Sequence, residues 1–242
     1  MGAERANGAE KPSSSAPAPK KPGVNPRGAE TVDAILKAAL HVLVEEGSSA
    51  FTLRRIAEQC GMNAGNVSRH FPRKEMLVQV LLEELLSPTE GLIERNIRSA
   101  GMSAEEALAT MIGGSIDQIN LKTITNLFLE LWAMASHNDF VADRVQAFYK
   151  RMQTIMSTFV AELNPSLTPA EVEAVTLFIN VSIEGTTSLT GYGRPWSAMM
   201  PQMQTLAVRS LVHLAKTVTS EDIATLPAIC RLSPRPWSEV YE

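Results

Sequence analysis

A run of polar and basic side chains between residues 52 and 74 has the composition that contacts phosphates and base edges. Arginine and lysine pair with phosphate oxygens, and asparagine and arginine also hydrogen-bond to bases in the major groove. The stretch holds five basic residues against one acid, although the whole chain has a net charge of −4. This local positive charge predicts a DNA-binding surface. The candidate DNA-binding residues are Thr52, Arg54, Asn63, Ala64, Gly65, Asn66, Ser68, Arg69, His70 and Lys74.

Two short helices joined by a tight turn are predicted to position these side chains. Thr52 is a helix-capping residue and predicts the start of the first helix, which Gly61 ends. A second helix is predicted over residues 64–70, with Val67 and Phe71 on one face. Two short helices in this arrangement form a helix-turn-helix.

Longer helices are predicted on both sides of this motif. Apolar residues at three- and four-residue steps predict a helix over residues 30–46, which Gly47 ends. A fourth helix is predicted to begin at residues 74–75. It is predicted to end near Ser87-Pro88, because proline disfavours helical structure at the residue before it. A further helical stretch, residues 91–99, is expected after a kink.

Residues 30–86 resemble the DNA-binding domain of the TetR family of bacterial transcriptional regulators. The matching segments are ILKAA (35–39), EG (46–47), TLRRIA (52–57), CGMNAGNV (60–67), HFP (70–72) and KE (74–75). The resemblance implies that the second motif helix enters the major groove as the recognition helix. The family usually has a tyrosine two residues before the histidine of this helix, where this chain has Ser68. The operator sequence therefore does not follow from the resemblance.

The resemblance places residues 63–66, at the start of the recognition helix, against the base edges. Asn66 is the best candidate for a base contact, since an amide can pair with adenine through two hydrogen bonds. Gly65 lets the backbone approach DNA closely. Arg54 is expected to contact guanine or a phosphate, and Arg55 to face solvent or an acidic partner. The other candidates are expected to contact phosphates: Thr52, Ser68, Arg69, His70 and Lys74. The alternative for each is a solvated side chain on a small helix.

The rest of the chain predicts helices only, because no segment shows the two-residue alternation of a strand. Helix-capping patterns stand at Ser103, Asn138 and Thr168. We therefore expect an all-α protein in four parts. These are a disordered arm over 1–27, a three-helix helix-turn-helix domain over 28–89, a helical bundle over 90–219 and an irregular tail over 220–242.

The resemblance implies that the helical bundle forms a homodimer and encloses a pocket for a small-molecule effector. The dimer is expected to form through the last two long helices, residues 170–189 and 198–218. Adaptable or aromatic side chains at helical spacing are the candidate ligand-binding residues: Met111, Phe128, Trp132, Met152 and Met156. The alternative is that this stripe is ordinary core. The candidate polar anchors are Glu130, His137 and Glu184, with a charge at the dimer interface as the alternative for Glu184.

These features together predict a ligand-responsive transcriptional regulator. The simplest form is a repressor that binds a palindromic operator in double-stranded DNA as a dimer and is released by a small lipophilic effector. The alternative is a helical interaction or sensor module with degenerate DNA binding.

Other classes of protein are disfavoured by the same residues. The four histidines and two cysteines stand in no metal-ligand or nucleophile motif, so no metal, cofactor or enzymatic activity is expected. The chain contains no run of about 18 apolar residues, so no membrane span is predicted. The N-terminus lacks the apolar core of a secretory signal, so a cytoplasmic protein is expected.

Overall fold

The computed structural model describes the backbone of residues 26–225 and the side-chain surroundings of residues 28–86 and 100–225. Within those residues the chain forms helices and no strand, as predicted. The helices are α1 (Pro26–Glu46), α2 (Leu53–Gln59), α3 (Ala64–His70), α4 (Lys74–Ser99), α5 (Ala104–Ile119), α6 (Lys122–Ala135), α7 (Asp139–Leu163), α8 (Pro169–Thr190), α9 (Met200–Thr217) and α10 (Ser220–Ala224). A turn of 3₁₀-helix, Ser197–Met199, precedes α9. Residues 1–25 of the expected arm and 226–242 of the expected tail lie outside the described residues.

The motif helices α2 and α3 begin where the sequence predicts. The hydroxyl oxygen of Thr52 accepts a hydrogen bond from the Arg55 N–H at 3.1 Å, and the Asn63 side-chain oxygen accepts from the Asn66 N–H at 2.8 Å. Each cap satisfies an amide group that the start of a helix leaves without a partner. Between them the chain turns at Gly61 with a φ of 68°, a backbone conformation that favours glycine.

The core of the N-terminal unit extends into the bundle. Phe51 and Phe71, which flank the two motif helices, are buried, as is Val67 on α3. The same core includes side chains of α6 and α7: Leu127, Leu131, Val141 and Val145. The DNA-binding unit therefore does not close its own core, because α6 and α7 complete it.

Helix α4 is longer than the sequence predicts. The predicted end near Ser87-Pro88 is wrong, since the backbone is helical without interruption from Lys74 to Ser99. Proline inside a helix removes one intrahelical hydrogen bond and clashes with the preceding turn. Tertiary packing of the first half of α4, where Leu77, Leu81 and Leu82 are buried, outweighs that local signal. As a result α4 passes through residue 89, where the boundary between the two domains was expected.

Helices α5, α7, α8 and α9 pack around a second core. Capping boxes of Ser103 with Glu106 and of Thr168 with Glu171 start α5 and α8, as predicted. Asn138 caps α7 in the same way, and its side-chain oxygen accepts from the Val141 N–H. Two adjacent glycines inside α5 do not interrupt that helix. The bundle thus begins its helices at residues that the sequence identifies.

Two further helix boundaries differ from the prediction. Helix α1 begins at Pro26, so residues 26 and 27 belong to the helix and not to the expected arm. Proline is favoured in the first turn of a helix, where its missing N–H costs nothing. The segment from residue 220, predicted to be irregular, begins with α10, because Thr219 and Asp222 form a capping box.

The contribution of the α8 capping box to the stability of the chain can be tested by mutation. Replacing Thr168 with alanine removes the side-chain oxygen that accepts from the Glu171 N–H, and we expect a loss of about 1 kcal/mol in the free energy of unfolding. Chemical denaturation monitored by circular dichroism measures it. The matched control is Thr154→Ala, since that exposed hydroxyl caps no helix and only donates to the Lys150 carbonyl of its own helix. Equal losses in the two variants would contradict the capping role.

Candidate functional site

The ten candidate DNA-binding residues lie on α2, α3, their caps and the start of α4. Seven of them are exposed: Thr52, Arg54, Asn63, Ala64, Gly65, Arg69 and Lys74. Three on α3 are half-buried: Asn66, Ser68 and His70. The inner face of α3 is anchored by Val67, which is fully buried. The structure therefore places the polar residues of this motif on its outer side, above an apolar support.

Two asparagines at the start of α3 have partners within the protein. The side-chain oxygen of Asn63 is used in the helix cap, so only its amide NH₂ is available to another partner. The Asn66 amide NH₂ lies 3.7 Å from the Met62 sulfur, which is a weak acceptor. A base contact by Asn66 would replace that weak interaction with stronger hydrogen bonds.

Adjacent arginines on α2 have different surroundings. Arg54 has an exposed side chain and pairs with Glu58 one turn along the same helix, at 3.1 Å. Arg55 makes two hydrogen bonds to the carboxylate of Glu46, at 2.8 and 2.6 Å, and a third to Gln59. The hydrogen bond to Glu46 is the main reason that the pKa of Arg55 is raised. Of the two surroundings expected for Arg55, solvent or an acidic partner, the structure shows the acidic partner, and Arg54 is the more exposed arginine of α2.

Side chains of α6 hydrogen-bond to the carboxyl end of α1 and to the turn that follows it. A side-chain oxygen of Glu130 accepts from the Ser48 N–H at 2.7 Å, and the Asn126 amide donates to the Val44 carbonyl at 3.0 Å. Lys122 pairs with Glu45 beside them. Glu130 was expected as a pocket anchor, but it joins the bundle to the DNA-binding unit. No sequence signal identifies this pairing, since it joins residues about 80 positions apart.

A cavity of about 250 Å³ lies inside the bundle. Small-molecule pockets usually measure about 300–1,000 Å³, so its size is close to the lower end of that range. Its lining comes from α5, α6, α7 and α8: Thr110, Met111, Gly114, Ser115, Gln118, Ile119, Ile124, Phe128, Phe148, Tyr149, Met152, Met156, Asn180, Ile183, Glu184 and Thr187. The structure thus brings together four of the five residues that the sequence proposed for ligand binding.

The fifth proposed residue, Trp132, lies outside the cavity. Its side chain is 47% exposed and stacks on the ring of Tyr149, with ring centroids 5.4 Å apart. Helical spacing identified an apolar stripe on α6 that includes Phe128 and Trp132. The spacing did not show that Phe128 faces the cavity whereas Trp132 faces outward. His137, proposed as a polar anchor, is exposed in the turn between α6 and α7.

Three polar groups of the cavity have unusual surroundings. Burial raises the pKa of Glu184, and the neighbouring Tyr149 hydroxyl partly offsets that rise. The pKa of Tyr149 is raised, first by burial and then by the negative charge of Glu184. The Thr187 hydroxyl is buried without a hydrogen-bond partner in the described part of the chain, and the buried Tyr149 hydroxyl has the Glu184 carboxylate as its polar neighbour. The sequence singled out Glu184 but neither of these hydroxyls.

Other kinds of site have no support in the described residues. Over residues 28–86 and 100–225 no group of histidine, cysteine and acidic side chains has the geometry of a metal site. No helix in the same range is long and apolar enough to cross a bilayer.

Two family models match this chain. The model described as bacterial regulatory proteins of the tetR family matches residues 35–81, and the model of the C-terminal part of BetI-type transcriptional repressors matches residues 104–215. The chain belongs to the TetR family. Its helix-turn-helix is therefore the DNA-binding motif of a TetR-family transcriptional regulator, and the resemblance read from the sequence is confirmed.

Curated HTH-type transcriptional regulators are similar to part of the chain. A regulator in the dhlA 5′ region of Xanthobacter autotrophicus is 26% identical over 134 residues, which are 54% of this chain and 66% of that protein. The regulator BetI 1 of Chromohalobacter salexigens is 27% identical over 105 residues, or 43% of this chain and 52% of that protein. The chain thus matches just under two thirds of the first relative's length and about half of the second's.

Solved structures share the TetR-family fold over more of the chain. The regulator FadR from Bacillus subtilis, in complex with stearoyl-CoA, has a TM-score of 0.58 and 20% identity, over 76% of this chain and 97% of that chain. A regulator from Rhodococcus sp. Rha1 has a TM-score of 0.62 and 17% identity, over 77% and 98%. The N-terminal helix-turn-helix and C-terminal helical domain expected from the sequence are thereby confirmed as the fold.

The two arginines of α2 provide a test of the DNA-binding surface. We expect Arg54→Ala to weaken DNA binding and to lower the slope of log affinity against log salt by about one, as for the loss of a phosphate contact. Arg55→Ala is the matched control: it should lower thermal stability, because Glu46 loses its partner, and leave the salt slope unchanged. Fluorescence anisotropy with a DNA duplex over a salt series measures both. Equal slopes for the parent and Arg54→Ala would exclude Arg54 as a contact.

Proposed function

We propose that this TetR-family chain is a repressor that binds a palindromic operator as a homodimer and is released when a small lipophilic effector fills the bundle cavity. The observation that carries the proposal is the position of α6. One face of this helix lines the cavity, and another face is hydrogen-bonded to the end of α1. An occupied cavity therefore acts on a helix that the DNA-binding unit depends on.

Helical geometry explains how α6 serves both sites. Ile124 and Phe128 are one turn apart and both line the cavity. Asn126 and Glu130 are also one turn apart, and each is displaced from the cavity residues by about 200° around the helix axis. A shift of α6 that makes room for a ligand therefore moves the Asn126 and Glu130 partners of α1. The expected change in operator affinity is a coupling free energy of about 1–3 kcal/mol.

The homodimer is supported by an apolar face on α8 and α9. Large apolar side chains are more than half exposed there: Leu177, Phe178, Val181, Leu189 and Leu206. Other apolar residues of α8, among them Val175, Ile179 and Ile183, are buried inside the bundle. A monomer would leave the exposed side chains in water, whereas a second copy of the same face would cover them.

A dimer also fits the reading of DNA. A single recognition helix contacts a short half-site, and two of them about 34–36 Å apart read a palindrome whose half-sites lie one helical turn apart. Repression then follows from occupation of the operator, and loss of that spacing releases the DNA.

The cavity supports a small effector with an apolar body. Its lining includes flexible methionines, which adapt to irregular shapes, and aromatic rings. The regulator FadR from Bacillus subtilis shares this fold and was solved with stearoyl-CoA. That likeness supports a small-molecule ligand for this chain, but it does not identify the ligand.

Selection of bound fragments from a random DNA library tests the proposal directly. A regulator that binds as a dimer should enrich one palindrome, and the double variant Arg54→Ala/Asn66→Ala should enrich none. Enrichment of no sequence by the parent chain would favour a helical interaction or sensor module with degenerate DNA binding.

The dimer face makes a separate prediction. Val181→Glu places a charge at the centre of the apolar face, and we expect the dimer dissociation constant to rise by about 100-fold or more, because a buried unpaired charge costs about 3–5 kcal/mol. Analytical ultracentrifugation measures the dissociation constant. Gln146→Glu adds the same charge to an exposed position on α7 and should leave it unchanged. A Val181→Glu chain that dimerises like the parent would place the interface elsewhere.

The coupling through α6 can be tested without an effector. Gly114 lines the cavity, and a Cβ atom added there meets no atom within 4 Å. Gly114→Leu should therefore act as a built-in ligand and reduce affinity for the selected operator by about 5-fold or more. Gly114→Ala, which adds only the Cβ atom, is the matched control and should bind the operator like the parent.

The double variant Gly114→Leu/Glu130→Ala tests whether α6 transmits the effect of a filled cavity to the DNA-binding unit. Adding Glu130→Ala removes the acceptor of the Ser48 N–H, so the further loss caused by Gly114→Leu should shrink to less than about 2-fold. Fluorescence anisotropy with the selected operator provides all four affinities of the cycle. An equal loss with and without Glu130 would mean that coupling runs by another route.

A further inference from the structure

The turn of the helix-turn-helix places a thioether beside the best candidate for a base contact. Met62 lies between α2 and α3, and its sulfur is 3.7 Å from the amide nitrogen of Asn66. A thioether is a weak hydrogen-bond acceptor, so the Asn66 NH₂ group can leave it for a stronger partner such as a base edge. How firmly the protein holds this amide therefore depends on the chemical state of one sulfur atom.

Both members of this pair are fixed in position. The Met62 N–H donates to the Ala57 carbonyl at 2.9 Å, and the Met62 side chain packs against the core of the N-terminal unit. The Asn66 N–H donates to the side-chain oxygen of Asn63 at 2.8 Å. Met62 is only partly buried, so a small oxidant in solution can reach it. The sulfur therefore stays next to Asn66 before and after a chemical change.

Oxidation turns this weak acceptor into a strong one. When hydrogen peroxide transfers an oxygen atom to a methionine, the O–O bond breaks, an S–O bond forms, the thioether becomes a sulfoxide and the peroxide is reduced to water. The sulfoxide oxygen is bonded to a sulfur that lies 3.7 Å from the Asn66 amide nitrogen, so it is within hydrogen-bonding reach of that NH₂ group. Pairing of Asn66 with a base would then require the loss of a strong hydrogen bond within the protein.

The cysteine of the same motif is a poorer target for this oxidant. Cys60 caps the end of α2, and its thiol donates to the Ile56 carbonyl at 3.0 Å. Burial raises the pKa of this thiol, which lowers the fraction of the reactive thiolate. A methionine reacts as the neutral thioether and does not have to lose a proton. Of the two sulfur groups in the motif, Met62 is therefore the favoured target.

We infer that Met62 is a modification site at which a peroxide controls DNA binding: its sulfoxide holds the Asn66 amide and so releases the chain from its operator. This input is separate from an effector in the bundle cavity, because it acts directly on the recognition helix. The inference rests on the proposed function, since Asn66 has to contact the operator for its capture to matter. Methionine sulfoxide reductases reverse the modification, so the response to the oxidant is reversible.

The operator affinity of the full chain before and after oxidation tests the inference. Hydrogen peroxide is applied and removed with catalase, and dithiothreitol then reduces oxidised cysteines but leaves methionine sulfoxide. Peptide mass spectrometry measures the sulfoxide at Met62, and fluorescence anisotropy measures the dissociation constant for the selected operator. We expect the affinity to fall by about 10-fold as Met62 is oxidised, because a base contact is lost. Treatment with methionine sulfoxide reductases for both epimers should restore it.

Two leucine variants assign the loss to one sulfur atom. Met62→Leu keeps a similar volume without a sulfur, so it should bind the operator like the untreated parent and lose less than about 2-fold on oxidation. Met199→Leu is the matched control, because it removes the sulfur of a side chain that is 50% exposed in the bundle. That variant should remain as sensitive to peroxide as the parent.

Two further variants test the route through Asn66. Met62→Gln places an amide oxygen near Asn66 and should weaken operator binding by about 5-fold or more without any oxidant. Asn66→Ala binds the operator more weakly from the start. Oxidation should change its affinity by less than about 2-fold, because the amide that the sulfoxide captures is absent. Circular dichroism checks that all variants are folded.

Distinct results would overturn the inference. An equal loss of affinity in the parent and in Met62→Leu would place the sensitive group elsewhere. An equal further loss in Asn66→Ala would mean that the sulfoxide disturbs the packing of the motif and does not act on the amide. Oxidation of Met199 with none at Met62 would show that Met62 is not a modification site.

These three results would leave the proposed function standing, whereas failure of the untreated parent to bind any selected operator would remove both. If Met62→Leu does not fold, the parent at graded levels of oxidation decides. An affinity that does not follow the fraction of Met62 sulfoxide then overturns the inference.

Discussion

The carboxyl end of α1 depends on hydrogen bonds that it cannot make alone. The last carbonyls of a helix have no intrahelical donor, and the turn that follows exposes further backbone groups. Here Asn126 donates to the Val44 carbonyl, and Glu130 accepts from the Ser48 N–H. An unpaired buried group costs about 1–3 kcal/mol, so the N-terminal unit is stable in its present form only while α6 stays in place. These hydrogen bonds between the two domains therefore stabilise the fold of both.

The shared core reinforces that dependence. Leu127 and Leu131 of α6 and Val141 and Val145 of α7 are buried together with the apolar residues of α1 to α4. Close-packed interiors transmit displacement because they have little free volume. Helix α6 contributes to this core and also lines a cavity, so it cannot adapt to a ligand without changing the packing on its other face. The fold thus supplies a physical route from the bundle to the recognition helix.

Local signals in the sequence predicted much of this structure, and long-range contacts explain what they missed. Caps at Thr52 and Thr168 act within one turn, so their residues alone predict where helices start. The end predicted near Pro88 failed because tertiary packing of α4 outweighs a local preference. At Trp132 and Glu130 the helix was predicted correctly, but its neighbours come from α7 and α1, which no local pattern identifies. The cavity residues were likewise identified as an apolar stripe, whereas the empty space among them depends on how four helices meet.

The polar groups that line the cavity distinguish it from a void left by imperfect packing. A gap left by imperfect packing would be lined by apolar groups, since a buried hydroxyl without a partner destabilises the folded chain. This cavity instead contains the Thr187 hydroxyl, which has no hydrogen-bond partner among the described residues, and the Glu184 carboxylate beside the Tyr149 hydroxyl. A ligand that satisfies them binds the folded chain and not the unfolded one, and so recovers stability that the empty chain lacks. In the proposed regulator these polar groups give the cavity its selectivity, and α6 transmits occupation of the cavity to α1.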